Sequence, residues 1–71
     1  MKRPTPKRTT GDLIRAAREA AKLTQTELAE RAGYDQSGIS LIERGTREPS
    51  QPVLRRLARA LKVKPGELVG E

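Results

Sequence analysis

The chain has 71 residues, which is enough for one domain with a small hydrophobic core. It contains neither cysteine nor histidine, so disulfides, the usual zinc sites and the commonest general base are excluded. Fifteen Lys and Arg against nine Asp and Glu give a formal net charge of +6, which favours a polyanionic partner, the alternative being a generally basic surface.

Aromatic residues are almost absent, with one Tyr and neither Phe nor Trp. Because proteins bind single-stranded nucleic acids by stacking bases on aromatic side chains, this composition disfavours single strands and leaves a duplex. No apolar run approaches the ~18 residues of a membrane span, and no apolar segment follows the basic N-terminus as in a signal peptide. We therefore expect a cytoplasmic protein without a membrane partner.

The first ten residues are predicted to form a flexible basic arm, separate from a domain over residues 11–71. Pro4 and Pro6 exclude a regular helix in this segment. An arm of this kind can neutralise phosphates or enter a minor groove, or it can serve only as a solubilising tail. Its basic residues are Lys2, Arg3, Lys7 and Arg8.

A first helix is predicted from about Gly11 or Asp12 to Lys22, with Thr10 or Asp12 as its cap. A second helix begins after Thr24, because the sequence TQTE at residues 24–27 forms a capping box. It ends at Gly33, which can adopt a positive φ without steric cost.

A third helix is predicted from Gln36 to Arg44, capped by Asp35 and ended by Gly45. Ile39 and Ile42 lie three residues apart and can pack on the second helix. The opposite, mostly polar face then points outward, and a short helix of this kind fits the major groove of DNA. Its residues are Gln36, Ser37, Ser40, Leu41 and Arg44.

Ser50 caps a predicted fourth helix, which has Pro52 in its first turn. Pro65 then opens a fifth short helix, which carries Leu68 and Val69. No segment alternates between apolar and polar residues for long enough to indicate a strand. The predicted fold is all-α, a compact bundle of five short helices.

With these helices placed, the chain resembles a Cro/C1-type helix-turn-helix domain, the class of phage repressors. The resemblance covers about residues 11–69 and rests on motifs at matching spacings: LTQTELAERAG at 23–33, ISLIERG at 39–45, REPS at 47–50 and LARAL at 57–61. It implies a lambda-repressor-like bundle in which helices two and three form the helix-turn-helix.

The resemblance and side-chain chemistry together predict contacts to base edges from the third helix. Gln36 is the main candidate, because a glutamine amide can bond adenine N6 and N7 together. Leu41 can meet a thymine methyl group or lie partly buried against the 46–50 loop. The predicted base contacts are Gln36, Ser37, Ser40 and Leu41, where either serine can reach a base edge or a phosphate.

Contacts to the DNA backbone are predicted around this helix. Gln25 stands at the start of the second helix, where free backbone N–H groups suit a phosphate. The resemblance also implies that Arg18 pairs with Glu43 and bridges the first helix to the third. Tyr34 can touch the backbone or cover the edge of the core. The predicted contacts to the DNA backbone are Gln25, Arg18, Tyr34, Arg44, Thr46 and Arg47.

The sequence therefore predicts a DNA-binding transcriptional regulator, expected to be a repressor that acts as a homodimer on a palindromic double-stranded operator. One alternative is the antitoxin of a toxin–antitoxin pair, with a toxin as protein partner. Another is a helix-turn-helix adaptor that binds proteins. An enzyme is disfavoured, because no residue set offers a nucleophile with a base, a metal site or a phosphate-cradling loop. No cofactor is expected.

Overall fold

The computed structural model describes residues 8–70. Over this range the chain forms four α-helices and one 3₁₀ helix. The α-helices are α1 (Thr10–Ala20), α2 (Gln25–Ala32), α3 (Gln36–Glu43) and α4 (Gln51–Leu61), and the 3₁₀ helix spans Pro65–Leu68. The part of the chain described contains no strand, so the all-α prediction is confirmed for these residues.

The prediction of five short helices is wrong in its count, because only four α-helices form in the described range. Residues 65–68 form a single 3₁₀ turn, in which the Glu67 N–H donates to the Lys64 carbonyl at 2.9 Å. Val69 then adopts an extended conformation with φ −83° and ψ 124°. Four residues are too few for a row of i→i−4 hydrogen bonds, so the tighter i→i−3 turn forms instead.

A side chain caps the start of every α-helix in the described range. Thr24, Asp35 and Ser50 accept hydrogen bonds from backbone N–H groups as predicted. The predicted cap of α1 is wrong, because Thr9 takes this position and Asp12 closes the capping box. A Thr followed by an acid three residues later is itself a start signal. Helix α1 therefore begins inside the segment predicted as an arm.

The four α-helices all end in the same way. In each, the chain passes through a left-handed residue, and the next N–H reaches back to a carbonyl in the last turn, as in a Schellman motif. The sequence predicted this ending for α2 and α3, where glycines stand, but lysines take the same conformation after α1 and α4. The left-handed residues are Lys22, Gly33, Gly45 and Lys62.

The core lies where the four α-helices and the 3₁₀ helix meet. Ile39 and Ile42 are buried as predicted, at 0% and 1% exposure. Leu68 is also buried, whereas Val69 is 54% exposed. The largest fully buried side chains are Ile14, Leu28, Ile39, Ile42, Leu57 and Leu68. No helix among residues 8–70 has the length and apolar character needed to cross a membrane.

Helix α1 crosses the C-terminal end of α3 at Gly11, which is buried. A Cβ atom at Gly11 would overlap the Ile42 carbonyl oxygen and lie 2.9 Å from the Glu43 carbonyl oxygen. Only glycine permits this approach without a shift of the backbone. The close crossing brings the basic side of α1 onto Glu43, the last residue of α3.

Candidate nucleic-acid interface

Helices α2 and α3 form the predicted helix-turn-helix unit. Gly33, with φ 67°, ends α2, and the Tyr34 N–H donates back to the Ala29 carbonyl at 2.9 Å. Asp35 then caps α3 by accepting from the Gly38 N–H. The local signals in the sequence are thus sufficient to place both helices.

Glu43 is the buried anchor of this unit. It is 3% exposed, and its carboxylate accepts from Arg18 Nε at 2.6 Å and Arg18 Nη2 at 3.0 Å. The pairing that the resemblance implied is therefore present. Arg18 Nη1 also donates to the Leu23 carbonyl at 2.9 Å, so this side chain joins α1, the following turn and α3.

Arg15 is a second basic partner of Glu43 that the sequence analysis missed. Its Nη2 donates to the Glu43 carbonyl at 3.1 Å, and its Nε lies 3.5 Å from Oε1. The signal was available, because Arg15 and Arg18 are three residues apart and share one face of a helix. Two guanidinium groups therefore face one carboxylate, and the Arg15 side chain keeps 44% of its surface exposed.

The charge state of Glu43 follows from these contacts. Burial alone raises the pKa of Glu43, but hydrogen bonds from Arg18 and Gln25 and the charge of Arg18 outweigh it and hold the pKa below its ordinary value of 4.5. Hydrogen bonding to Glu43 in turn raises the pKa of Arg18. At neutral pH Glu43 is ionised and can only accept hydrogen bonds.

Gln25 connects Glu43 to the start of α3. Its Nε2 donates to Glu43 Oε1 at 3.1 Å, and its Oε1 accepts from Gln36 Nε2 at 2.8 Å. The structure thus brings together two glutamines that the sequence analysis assigned to separate contacts. In the first turn of α2 the Glu27 N–H donates to Thr24 Oγ1 at 3.0 Å, whereas helix geometry leaves the N–H groups of Gln25 and Thr26 without intrahelical partners. The phosphate contact of Gln25 stays a prediction.

The predicted base-contacting residues lie on one face at different depths. Gln36 and Ser37 are exposed at the start of α3, whereas Ser40 and Leu41 are half-buried. The Leu41 carbonyl accepts from the Thr46 and Arg47 N–H groups at 3.0 and 3.2 Å, so the next loop folds back on the end of α3. Leu41 is thus partly buried, and its contact with a thymine methyl group stays a prediction.

Tyr34 covers the edge of the core, one of its two predicted roles. Its hydroxyl oxygen accepts from Arg47 Nη1 at 3.0 Å, which places Arg47 beside the turn. A Cβ at Gly38 would overlap the Tyr34 ring. The glycine inside α3 is therefore explained by this ring.

The other predicted backbone contacts surround this face. Arg44 and Thr46 are exposed at the end of α3, as is Arg8 before α1. Lys2, Arg3 and Lys7 lie outside the described residues. Among residues 8–70, no group of three or more acidic side chains is arranged to hold a metal ion.

Comparison with known proteins identifies relatives of the region that forms the helices. A family model described as Helix-turn-helix matches residues 14–68. An uncharacterized HTH-type transcriptional regulator of Sinorhizobium fredii, y4dL, is 58% identical over 48 residues, which are 68% of this chain and 24% of that protein. The chain thus spans about a quarter of the length of this relative.

Two solved structures have closely similar folds. The restriction-modification controller protein C.AhdI of Aeromonas hydrophila is 39% identical with a TM-score of 0.81, and the match covers 83% of this chain and 89% of that one. The P22 c2 repressor in complex with a synthetic operator is 34% identical with a TM-score of 0.83, covering 87% and 94%.

Proposed function

The chain belongs to the helix-turn-helix family of Cro/C1 type, and on that basis we propose that it regulates transcription by binding double-stranded DNA at a specific sequence. Helix α3 lies in the major groove. The regulator acts as a repressor. This assignment is supported by its similarity to the P22 c2 repressor, whose crystal structure was determined in complex with a synthetic operator. The relatives favour neither the antitoxin nor the adaptor alternative.

One observation carries this proposal. The polar face of α3 projects from the domain, while the opposite face is buried through Ile39 and Ile42 and tied to α1 through Glu43. A helix held rigidly by one face and free on the other can enter a groove about 12 Å wide without rearrangement. The net charge of +6 adds the attraction to phosphates that every duplex-binding protein needs.

Base readout is assigned to the exposed start of α3. Gln36 and Ser37 stand furthest out, and recognition helices contact base edges with their N-terminal residues. Ser40 and Leu41 lie one turn further along and are half-buried. Because they project less, Ser40 and Leu41 reach only those bases that lie closest to α3. Leu41 suits a thymine methyl group there.

Backbone contacts are assigned to groups on either side of α3. The proposed contacts to the phosphates come from the first turn of α2 at Gln25, the hydroxyl of Tyr34 and the exposed residues Arg44, Thr46 and Arg47. Arg18 has three of its N–H groups engaged with Glu43 and Leu23, so it acts through positioning and has limited capacity for a phosphate. The basic arm adds further phosphate contacts.

A homodimer on a palindromic operator completes the proposal. A single module with this small reading face has few specific contacts, and two linked modules supply the missing affinity. The half-sites would lie about 10 base pairs apart, one helical turn. The surface for dimerisation is assigned to the 46–50 loop and residues 63–69, where Val69 is 54% exposed.

Selection of bound sites from a random double-stranded DNA pool tests this function. We expect an enriched palindrome with two half-sites about one helical turn apart. The variant Gln36→Ala, selected in parallel, should lose enrichment at one position in each half-site. Enrichment of no sequence by the wild-type protein, together with binding that depends only on salt, would leave a non-specific DNA-binding protein and refute the proposal.

A further inference from the structure

The positive charge of the protein is concentrated outside the helix-turn-helix unit. Residues 10–50, which contain α1, α2 and α3, carry seven acidic and six basic side chains, so their net charge is −1. Residues 51–66, which contain α4, carry five basic side chains and no acidic one. Much of the net charge of +6 therefore belongs to a helix other than the proposed recognition helix.

Helix α4 turns these charges outward. The side of α4 that faces the core is apolar and includes the buried residues Leu54, Leu57 and Leu61. The basic side chains lie on the opposite side over about two helical turns, and all of them are exposed. The α4 basic face is defined by Arg55, Arg56, Arg59 and Lys62.

The stability of the domain does not explain this face. Both ion pairs among residues 8–70 belong to Glu43, so in that range no carboxylate pairs with the α4 basic face. Like charges three or four residues apart on a helix repel one another and destabilise it. The helix dipole favours basic residues near the end of α4, but it gives no reason for Arg55 and Arg56 near its start.

The α4 basic face and the polar face of α3 lie on different sides of the domain. Helix α3 packs on α1 and α2, whereas α4 packs on α1, α2 and the 3₁₀ helix. Both helices turn apolar side chains, among them Ile39 and Leu57, into the same core, so their exposed faces point away from it in different directions. A duplex that α3 enters therefore leaves the α4 basic face available.

We propose that the α4 basic face binds the phosphate backbone of a second DNA duplex, so that the protein holds two duplex segments at once. Three of its four side chains are guanidinium groups, whose planar forks match phosphate oxygens. Contacts to phosphates carry no base information, so the second duplex is bound without regard to its sequence. This inference goes beyond the proposed function, which needs one duplex only.

The composition of the α4 basic face favours a duplex over an acidic protein. Protein interfaces are built around a packed, largely apolar centre. The apolar side chains beside this face, Val53 and Ala60, are instead partly buried against the domain's own core. A phosphate backbone requires no apolar anchor, because its binding is driven by charge and by the release of counterions.

Capture of one duplex by another tests the inference. The operator duplex obtained by selection is immobilised, saturated with the wild-type protein and washed, and a labelled duplex without the selected sequence is then added. We expect the protein to retain the labelled duplex at low salt and to release it as the salt concentration rises. No retention at any salt concentration would overturn the inference and leave the proposed function intact, since the operator duplex stays bound.

The double variant Arg55→Gln with Arg59→Gln locates the second duplex, and glutamine preserves the helix propensity. The slope of log K against log salt for the labelled duplex should become shallower by about 1.8, which is about 0.9 for each lost phosphate contact. The matched control, Lys22→Gln with Arg31→Gln, removes the same charge from exposed positions outside α4 and should keep the wild-type slope. A slope that changes equally in both variants, or in neither, would overturn the inference.

The operator duplex itself provides a second control. Its salt slope should be the same for the wild-type protein and for the Arg55→Gln, Arg59→Gln variant. A slope for the operator duplex that is shallower by about 1.8 in this variant would place the α4 basic face on the operator and overturn the inference.

A titration without the operator separates the inference from the proposed function. With a short duplex of arbitrary sequence, backbone amide chemical shifts should change at the start of α3 and over residues 55–62. Changes over residues 55–62 alone would refute the proposed function and keep the inference, and changes at α3 alone would do the reverse.

The same titration with poly-glutamate distinguishes an acidic protein from DNA. At an equal concentration of charge, poly-glutamate should change the shifts of residues 55–62 less than the duplex does, because a flexible chain must be ordered on binding. An equal or larger effect of poly-glutamate would assign the α4 basic face to an acidic protein and overturn the inference.

Discussion

Arg18 and Glu43 form a two-point ion pair between α1 and α3, with Nε 2.6 Å from Oε2 and Nη2 3.0 Å from Oε1. The Glu43 side chain is 1% exposed and that of Arg18 is 14% exposed. The pair thus lies at the point where the rest of the domain holds α3.

Removal of the Arg18 guanidinium should destabilise the folded domain. We expect Arg18→Met to lower the free energy of unfolding by about 3–5 kcal/mol, because it leaves a buried carboxylate without its main partner. The double variant Arg18→Met with Glu43→Leu should recover much of this loss, since the unpaired charge is gone. Urea denaturation measures both, with the exposed Arg31→Ala as control. A double variant less stable than the single one would contradict this account.

Stability should decrease in acid. A carboxylate whose folded pKa is below its unfolded value contributes stability above the unfolded pKa, and this contribution is lost as the pH falls through the folded pKa. Glu43 has a lowered pKa, and hydrogen bonds from Thr9 and Thr24 lower those of Asp12 and Glu27 in the same direction. The urea concentration at the midpoint of unfolding should therefore decrease as the pH is lowered below 4.5, the ordinary pKa of a glutamate.

The share of this loss that belongs to Glu43 is measurable. The Arg18→Met, Glu43→Leu double variant lacks the titrating group, so its urea midpoint should fall less between about pH 6 and about pH 3 than that of the wild-type protein. Equal falls in the two proteins would assign the acid sensitivity to the capping carboxylates.

The crossing of α1 over α3 predicts a strong effect at Gly11. Gly11→Ala should lower the free energy of unfolding by about 1–3 kcal/mol, because its Cβ would overlap a backbone carbonyl that has little room to move. Gly66→Ala is the matched control, since a Cβ there meets nothing within 4 Å. Thermal denaturation of the two variants compares them, and equal melting temperatures would contradict the prediction.

Base readout by Gln36 predicts a local loss of specificity. Gln36→Ala should cost about 1–3 kcal/mol of binding free energy on the preferred operator and little on operators changed at the contacted base pair. Fluorescence anisotropy with a set of single-base operator variants measures this. A uniform loss on every operator would instead indicate a contact that carries no sequence information.

The basic arm predicts an effect on salt dependence. Deletion of residues 2–8 removes Lys2, Arg3, Lys7 and Arg8 and keeps the Thr9 cap. The slope of log K against log salt should become shallower by about 0.9 for each phosphate that the arm neutralises in the wild-type complex. An unchanged slope would identify the arm as a bystander.

Much of the scaffold was predictable because its signals are local. The predicted helix caps and the predicted end of α2 each depend on contacts within one turn of the chain, and the structure confirms them. The residues are Thr24 with Glu27, Asp35, Ser50 and Gly33. The error at the start of α1 was also local, since the Thr9–Asp12 pair was legible in the sequence. The Arg18–Glu43 pair was found only through the resemblance, because its members are 25 residues apart.

The sequence by itself therefore determined the starts of α2, α3 and α4, the ends of α2 and α3 and the polar face of α3, through backbone preferences and hydrogen bonds that span three or four residues. The tertiary structure alone decided what holds that face. The crossing at Gly11, the second guanidinium of Arg15 and the line from Glu43 through Gln25 to Gln36 join residues at least 11 positions apart in sequence. Such contacts depend on the angle and depth at which helices meet, which packing of the whole core sets.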